Sequence, residues 1–430
     1  MKVDYGNLVE VKTKDKIYRG ILIPRAEVIP GNYLVLKLAN GYNVGISKRE
    51  VKKIKLIKKV KRKISFVKKI ELKKDLPIVS VLSTGGTISC KVDYITGGVY
   101  PALSADEIIE NIPEITNFAD IRAREIMKVP SEDMNPRLWR RMAREVVKEL
   151  NSEAEGVVIT HGTDCMHYSS AMLAFMIKNL NKPIVFTGSQ RSSDRGSSDA
   201  FQNLLCSIIA CANGKIAESM ICMHAGIEDN FNFLLRGVKA RKMHTERRDA
   251  FRAINCLPLA KVYPNGEIKY SEEIYNERKR GNVKLDDRID ERVALVYFYA
   301  GQKPDILDFY KSEGYRGIVI AGTGLGHVAT SFKGYSWISK MRELSKKEIV
   351  IAMTSQCLYG RVHPFVYTPL RKISMLANVI YCEDMLPEVA YCKLMWVLGK
   401  TKDPIKIKEM MLTNYVNEIT KVTNPNAFLI

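Results

Sequence analysis

Short apolar runs, each closed by a glycine, a proline or a polar turn, recur along the chain and predict its secondary structure. In the first 72 residues these runs are brief and closely spaced, which predicts a small SH3-like or Tudor-like β domain. The strands predicted there are Leu8–Thr13, Ile17–Ile23, Tyr33–Leu38 and Asn43–Ser47, with turns at Lys14-Asp15 and Asn40-Gly41. Residues 51–70 alternate apolar with basic positions and fit either a further strand or a basic linker.

From Pro77 onward, strand-like runs alternate with segments of helical period, which predicts α/β domains with mostly parallel, doubly wound sheets. The first set of strands is predicted at 77–82, near Ile121–Val129, and at 156–160, Pro183–Thr187 and Ala217–Met223. The helices between them are predicted at Ser104–Asn111, Pro136–Leu150, Ser169–Leu180 and Asp199–Asn213. Ser104 with Glu107 forms a capping box, and Asn135-Pro136 supplies a cap followed by proline at the first helical position.

A second β/α set follows a polar stretch that contains Gly281-Asn282. Its strands are predicted at Val293–Tyr299, Gly317–Ala321 and Glu348–Thr354, and its first helix at Ile306–Glu313. The predicted division is a β domain with a basic tract at 1–72, an α/β catalytic domain at 75–270, a linker at 271–290, a second α/β domain at 291–395 and a basic tail at 396–430.

The formal net charge of +20 and the pI near 9.4 indicate contact with a polyanion, and much of that charge lies in residues 48–74. Two interpretations stay open for this tract. It fits a solvated, lysine-rich surface of the kind that thermophiles accumulate, and it fits a patch that contacts RNA phosphates. Phe66 is the one aromatic residue in it, so base stacking is not indicated.

The positions of the cysteines and histidines in the sequence predict a cytoplasmic protein without a metal. The nine cysteines lie mostly in apolar stretches, which is typical of reduced core thiols. The six histidines form no metal-binding motif. The chain has no run of eighteen apolar residues, and its first residues lack the apolar core of a signal peptide.

Two threonine-containing turns, each at the end of an apolar strand, hold the candidate catalytic residues. One apolar strand runs into Thr84-Gly85-Gly86-Thr87, and another runs into Thr160-His161-Gly162-Thr163-Asp164. Open α/β sheets place ligands at the carboxyl ends of their strands, and glycines there let the backbone approach a substrate closely. A tight structural turn is the commoner role of such a sequence. A phosphate loop is excluded because the Walker spacing and the Gly-x-Gly-x-x-Gly pattern are absent.

With Thr187-Gly188-Ser189-Gln190-Arg191 and the Lys242 segment through Phe251, these two stretches resemble the bacterial-type L-asparaginases and glutaminases. The four motifs occur in the family order, and the resemblance covers roughly residues 76–395. The extra amino-terminal domain and Ser131-Glu132-Asp133-Met134 make the chain most similar to the D-subunit family of archaeal glutamyl-tRNA(Gln) amidotransferases.

The resemblance implies the catalytic residues. Thr87 matches one family nucleophile, and Thr163, Asp164 and Lys242 match the set that activates the other hydroxyl. Asp164 would hold Lys242 in place, and a confined lysine would have its pKa lowered enough to accept a proton. Tyr94 resembles the family tyrosine on a mobile lid beside the nucleophile. Thr87 is the expected acyl-enzyme residue, although Thr163 is not excluded.

The same resemblance implies the substrate-binding residues, which are Ser131, Glu132, Gly86 and Gly162. Ser131 matches a residue that binds the substrate α-carboxylate. Glu132 stands where many asparaginases have glutamine, and its carboxylate would bind the α-ammonium. Leu325 stands where tetrameric asparaginases place an asparagine that binds the same group. These two departures are expected of a site rebuilt for glutamine.

The function implied by the resemblance is hydrolysis of L-glutamine to glutamate and ammonia through an acyl-threonine intermediate. A partner E subunit, with two copies of each subunit expected, would use the ammonia to convert Glu-tRNA(Gln) to Gln-tRNA(Gln). ATP and Mg are expected at that partner, and no cofactor is expected in this chain. The alternatives are a free-standing cytoplasmic L-asparaginase and a non-catalytic RNA-binding scaffold. The amino-terminal domain, Glu132 and Leu325 argue against the first, and Thr87, Thr163, Asp164 and Lys242 argue against the second.

Overall fold

The computed structural model describes residues 4–23, 32–39, 42–59, 76–85, 90–92, 99–101, 108, 111–192 and 197–429. Its first part is strand-rich, as predicted. The strands are β1 (Leu8–Lys12), β2 (Ile17–Ile23), β3 (Tyr33–Lys37), β4 (Asn43–Ser47) and β5 (Lys53–Lys58). They form an antiparallel sheet in the order β4-β3-β2-β1-β5. Alternate residues such as Val9, Val11 and Leu36 are buried beneath it, because successive side chains of a strand point to opposite faces.

The structure describes the first part of the basic tract at 48–74, which includes strand β5. Residues 53–58 are a strand paired with β1, so the first part of the 51–70 stretch is a strand and not a linker. Its lysines at 53, 55 and 58 are exposed on the edge of the sheet, where charge opposes further strand pairing. Residues 60–75 lie outside the described residues, and contact with RNA stays a prediction.

The second part is an α/β unit on a mixed eight-stranded sheet in the order β18-β17-β14-β13-β12-β10-β6-β9. Its strands are β6 (Ile78–Ser83), β9 (Asp120–Glu125), β10 (Gly156–Thr160), β12 (Ile184–Thr187), β13 (Ser219–His224), β14 (Asn232–Arg236), β17 (Ala260–Val262) and β18 (Ile268–Tyr270). Its helices include α1 (Pro136–Leu150), α2 (Met166–Met176) and α3 (Ala200–Asn213). Five neighbouring strands of this sheet, β9, β6, β10, β12 and β13, are parallel to one another. The remaining three, β14, β17 and β18, each pair antiparallel with the strand before them in the sheet.

Three short pairs complete this unit. They are β7 (Cys90–Val92) with β8 (Val99–Pro101), β11 (Ile177–Lys178) with β19 (Lys284–Leu285), and β15 (Ala240–Lys242) with β16 (Phe251–Ala253). The β11–β19 pair ties the polar 271–290 stretch to the first α/β unit.

The third part carries a four-stranded parallel sheet in the order β20-β21-β22-β23. Its elements are β20 (Val293–Tyr297), α4 (Ile306–Ser312), β21 (Gly317–Gly322), α5 (Ile338–Lys346), β22 (Val350–Ser355), α6 (Thr368–Ala377), β23 (Ile380–Tyr381), α7 (Pro387–Leu398) and α8 (Pro404–Leu412). Eleven of the twelve residues of α7 are buried, and eight of these belong to the large apolar core shared with α2 of the first unit. The two α/β units therefore share one apolar interface.

The helix predictions succeed where local caps mark the ends. Helix α1 spans the predicted 136–150, because the Asn135 side chain accepts hydrogen bonds from the backbone N–H groups of Arg137 and Leu138. The prediction of a helix at 169–180 is wrong at both ends. Helix α2 begins at Met166, and it ends at Met176 because the chain then pairs with β19 and turns left-handed at Asn179, with φ 57°. The predicted helix at 104–111 lies for the most part outside the described residues.

Eight cysteines of the described chain are free, and six of them are buried. Their burial agrees with the prediction of reduced core thiols, since burial raises the pKa of groups such as the Cys222 thiol, to about 12. Within the described ranges no helix combines the length and the apolar character that a membrane span requires.

Candidate active site

The predicted motifs follow neighbouring central strands of the first α/β sheet, at the end of the sheet where those strands finish. Thr160, the last residue of β10, is in register with Ser83 at the end of β6 and with Thr187 at the end of β12. The three strands are parallel, so the loops that follow them begin side by side. The structure thus brings three of the four motifs to the carboxyl ends of central strands, where open α/β sheets bind ligands.

The loop after β6 is held against its neighbours by backbone contacts. The Thr84 hydroxyl donates to the carbonyl of Thr160 at 2.9 Å, and the Val129 N–H donates to the carbonyl of Thr84 at 2.9 Å. Gly85 has φ +110°, and a Cβ there would lie 3.0 Å from the backbone of Val129. Glycine is therefore required at this position. Gly86 and Thr87 follow it outside the described residues, as does Tyr94 between β7 and β8, so their placement stays a prediction.

Lys242 reaches the second threonine motif from the β15–β16 hairpin. Its Nζ donates to Thr163 Oγ1 at 2.9 Å and to Asp164 Oδ1 at 2.8 Å. The Lys242 side chain is 11% exposed, whereas that of Asp164 is 69% exposed. The structure thus assembles a hydroxyl, a carboxylate and an amine from two distant segments. In its amine form Lys242 would be close enough, at 2.9 Å, to take the proton of the Thr163 hydroxyl, as nucleophile activation requires.

Ser131 and Gly162 lie in contact beside this set. Ser131 is buried in a short 3-10 turn, and a Cβ at Gly162 would lie 2.8 Å from the Ser131 Cβ. Ser131 Oγ lies 3.4 Å from Glu132 Oε2, and Glu132 is exposed. Of the predicted binding residues that the structure describes, Gly162 immediately precedes Thr163 and Ser131 packs against Gly162. Leu325 instead packs against the core of the third part.

His161 lies behind the threonine loop in a one-way chain of hydrogen bonds. Its Nδ1 lies 2.7 Å from the carbonyl of Gly162, which can only accept, so Nδ1 carries the proton. Nε2 of the neutral ring then accepts from the Ser169 hydroxyl at 2.9 Å, and Ser169 Oγ accepts from the Trp139 indole at 2.9 Å. This series of hydrogen bonds fixes the carbonyl of Gly162, the residue that precedes Thr163. This role of His161 has no signal in the sequence, because Ser169 and Trp139 carry no motif.

We expect stability to fall at mildly acidic pH because of His161. Burial lowers its pKa to about 4, below the value near 6.5 of an unfolded chain. The unfolded chain therefore takes up this proton as the pH falls below about 6.5, while the native chain stays neutral until about 4. By linkage, the free energy of unfolding should fall by about 2 kcal/mol between pH 8 and pH 5 from this residue. Denaturant unfolding of the native chain and of His161→Gln at both pH values measures it. An equal pH-dependent loss in the two proteins would contradict the assignment.

A buried carboxylate supports the third motif. Asp199 accepts hydrogen bonds from the backbone N–H groups of Gln190 and Arg191, at 3.0 Å each, and from the Asn203 amide at 2.9 Å. The sequence pattern predicts Asp199 only as the first residue of a helix, and the Asp199 side chain makes no cap bond to the backbone of α3. Its position eight residues after Arg191 gives no signal of this contact in the sequence.

No cluster of three or more potential ligands among His, Cys, Asp and Glu lies in the part of the chain that the structure describes. The groups assembled at this edge are a hydroxyl, an amine, carboxylates and backbone amides. These are the components of acyl transfer, which needs a nucleophile, a base and hydrogen-bond donors.

Family comparisons agree with this chemistry. Residues 78–276 match the family described as asparaginase, N-terminal, and residues 292–411 match the glutaminase/asparaginase C-terminal domain. The thermostable L-asparaginase from Thermococcus kodakarensis is 30% identical with a TM-score of 0.71, and the match covers 80% of this chain and all of that one. A probable cytoplasmic L-asparaginase from Campylobacter jejuni is 28% identical with a TM-score of 0.65, and the match covers 79% of this chain and all of that one. The chain is an enzyme of the asparaginase type.

Matches that extend over nearly all of this chain define its family more narrowly. Residues 3–57 match the GatD N-terminal domain. The D subunit of the glutamyl-tRNA(Gln) amidotransferase from Pyrococcus furiosus is 47% identical over 99% of this chain and 97% of that protein. The corresponding protein of Sulfolobus acidocaldarius is 44% identical over 99% of this chain and 94% of its own length. The chain belongs to the family of glutamyl-tRNA(Gln) amidotransferase D subunits. Membership confirms the predicted family, and it favours an amidotransferase component over a free-standing asparaginase.

Proposed function

We propose that this chain hydrolyses L-glutamine and supplies the ammonia to a tRNA-dependent amidotransferase. One observation carries the proposal: Lys242 lies within hydrogen-bond distance of Thr163 and Asp164 in a chain that matches D subunits over nearly its whole length. A partner E subunit would use the ammonia, with ATP and Mg, to convert Glu-tRNA(Gln) to Gln-tRNA(Gln). The chemistry of this chain itself requires no cofactor.

The steps follow from the assembled groups. A threonine hydroxyl attacks the side-chain amide carbon of glutamine, and its proton passes to the set of Thr163, Asp164 and Lys242, in which Lys242 accepts it in the amine form. Backbone N–H groups of the glycine-rich turns stabilise the oxyanion. The proton then goes to the leaving ammonia, which leaves a glutamyl-threonine ester. A water hydrolyses the ester to glutamate and restores the hydroxyl. We assign the ester to Thr87 and the activating role to Thr163, Asp164 and Lys242, with Tyr94 covering the nucleophile.

The substrate is held through its amino-acid end. Ser131 would bind the α-carboxylate, and Glu132 would make a charge-assisted hydrogen bond to the α-ammonium. Backbone groups of Gly86 and Gly162 would approach the substrate closely, since neither carries a side chain. The contact between Ser131 and Gly162 supports this arrangement, because it puts the first binding residue next to the threonine loop.

Ammonia release from L-glutamine and from L-asparagine tests the proposal, with the chain alone and then with its candidate E subunit and Glu-tRNA(Gln). We expect weak activity alone and a rise on glutamine when both are added. Strong, partner-independent hydrolysis of asparagine would identify a free-standing L-asparaginase instead. Thr87→Ala in the full complex should abolish ammonia production, and unchanged production would overturn the catalytic assignment. Mass spectrometry of acid-quenched enzyme would show which threonine carries the glutamyl ester.

A further inference from the structure

The hairpin that carries Lys242 is attached to the third part of the chain by two ion pairs. Lys239, just before β15, donates from Nζ to Asp384 Oδ2 at 2.7 Å, and neither side chain is exposed. Arg241 donates from Nη1 to Glu388 Oε2 at 2.6 Å, and the Glu388 side chain has no exposed surface. Asp384 and Glu388 stand four residues apart, before and within the first turn of α7. Both residues that flank Ala240 are therefore held by one short segment of the other unit.

The returning strand is attached to the same region. Asn255, two residues after β16, accepts from the N–H of Gly360 at 2.8 Å and donates to its carbonyl at 3.1 Å. Asn255 is buried, with φ 61°, a conformation that asparagine tolerates better than most residues. Together with the ion pairs of Lys239 and Arg241, these bonds attach both strands of the hairpin to the third part.

Glu388 contacts the two segments that carry the candidate catalytic pair. Besides Arg241, which immediately precedes Lys242, it lies 3.7 Å from Nε2 of His167. His167 is the second residue of α2, the helix that begins two residues after Asp164. Burial lowers the pKa of His167 to about 3, so its ring is neutral and this contact is packing and not an ion pair. Glu388 thus lies behind both the strand of Lys242 and the helix that follows Asp164.

We propose that Glu388 is a positioning residue that sets the approach of Lys242 to Thr163 and Asp164, so that the third part of the chain takes part in the reaction without touching substrate. Side chains alternate along a strand, so Arg241 faces away from the side on which Lys242 lies. Pairing Arg241 with a buried carboxylate therefore selects the register in which Lys242 faces Thr163. Apolar packing would hold the hairpin without selecting that register, because it lacks direction. The inference rests on the proposed catalytic role of Lys242.

The test is Glu388→Gln in the full chain within its amidotransferase complex. Glutamine keeps the shape but removes the charge that holds Arg241. A displacement of about 1 Å at a reacting group lowers rates by about 100-fold, so we expect kcat to fall about 10- to 100-fold while KM changes less than about threefold. Arg241→Lys, which keeps the cation, should retain more kcat than Arg241→Met. In a Lys242→Ala background, Glu388→Gln should lower kcat no further, because both changes act through one amine.

Glu418→Gln is the matched control. Glu418 pairs with Lys393 of the same helix α7 at 2.6 Å, both side chains are unexposed, and the other hydrogen bonds of Glu418 come from the backbone N–H groups of Tyr415 and Val416. We expect this variant to lose thermal stability at least as much as Glu388→Gln while its kcat stays within about twofold. Equal losses of kcat in the two variants, or additivity with Lys242→Ala, would reduce Glu388 to a structural role and overturn the inference. Full activity of Lys242→Ala alone would instead overturn the catalytic assignment beneath it.

Discussion

Replacing Lys242 with methionine is expected to lower kcat for glutamine hydrolysis by about 10²- to 10⁴-fold, the range that a positioned base contributes. Methionine fills a similar volume but can neither take the threonine proton nor return it. The buried stem of Lys242 predicts that the variant folds, since an apolar side chain suits a position that is 11% exposed. Steady-state ammonia release by the full complex, with kcat and KM determined separately, measures the effect.

Lys148→Met is the control for this prediction. Lys148 lies on α1, is 68% exposed and, among the described residues, forms an ion pair with Glu145 of its own helix. Its replacement should leave kcat within about twofold, because exposed pairs of this kind contribute little. If Lys242→Met matched that control, the contact of Lys242 with Thr163 would be structural, and another base would have to be sought.

Lys393→Met is expected to lower the free energy of unfolding by about 3–5 kcal/mol, because it leaves the Glu418 carboxylate buried and unpaired. Lys393 Nζ also donates to the carbonyls of Met411 at 2.8 Å and Thr413 at 2.6 Å, which join α8 and the segment after it to α7. Burial lowers the pKa of Lys393 because removal from water disfavours the charged form, and the pairing with Glu418 opposes that shift. Calorimetry should show a fall in melting temperature of about 10 °C.

The double variant Lys393→Met, Glu418→Gln separates the charge from the packing. It should regain about half of the lost stability or more, since no unpaired charge is then left buried. Lys347→Met provides an exposed comparison, because its pair with Glu343 is 53% and 41% exposed, and it should change stability by less than about 1 kcal/mol. A loss in Lys393→Met as small as in Lys347→Met would mean that Glu418 is neutral or solvated in the native chain.

The parts of the fold that could be predicted are those with local causes. Helix α1 follows from the Asn135-Pro136 start and from an apolar stripe that the structure buries at Trp139, Met142 and Val146. The end of α2 could not be predicted, because the chain leaves the helix to pair with β19 more than 100 residues later. Likewise, the antiparallel edge of the eight-stranded sheet could not be predicted, because side chains alternate with the same period in parallel and antiparallel strands.

Some residues of the candidate site could likewise be identified from the sequence, and others only from the tertiary structure. Thr163 and Asp164 are adjacent in the chain, and a strand that runs into a glycine turn places both at a sheet edge, so sequence pattern and family resemblance suffice to find them. Lys242 lies 79 residues from Thr163, and only its family motif pointed to it. Glu388 lies 147 residues from Arg241 and carries no motif at all. Strand period, caps and turns act between near neighbours and can be identified from the order of residues. The buried pairs that hold the hairpin exist only because two separate units pack together, and their contact is decided by the shape and charge of the folded surfaces.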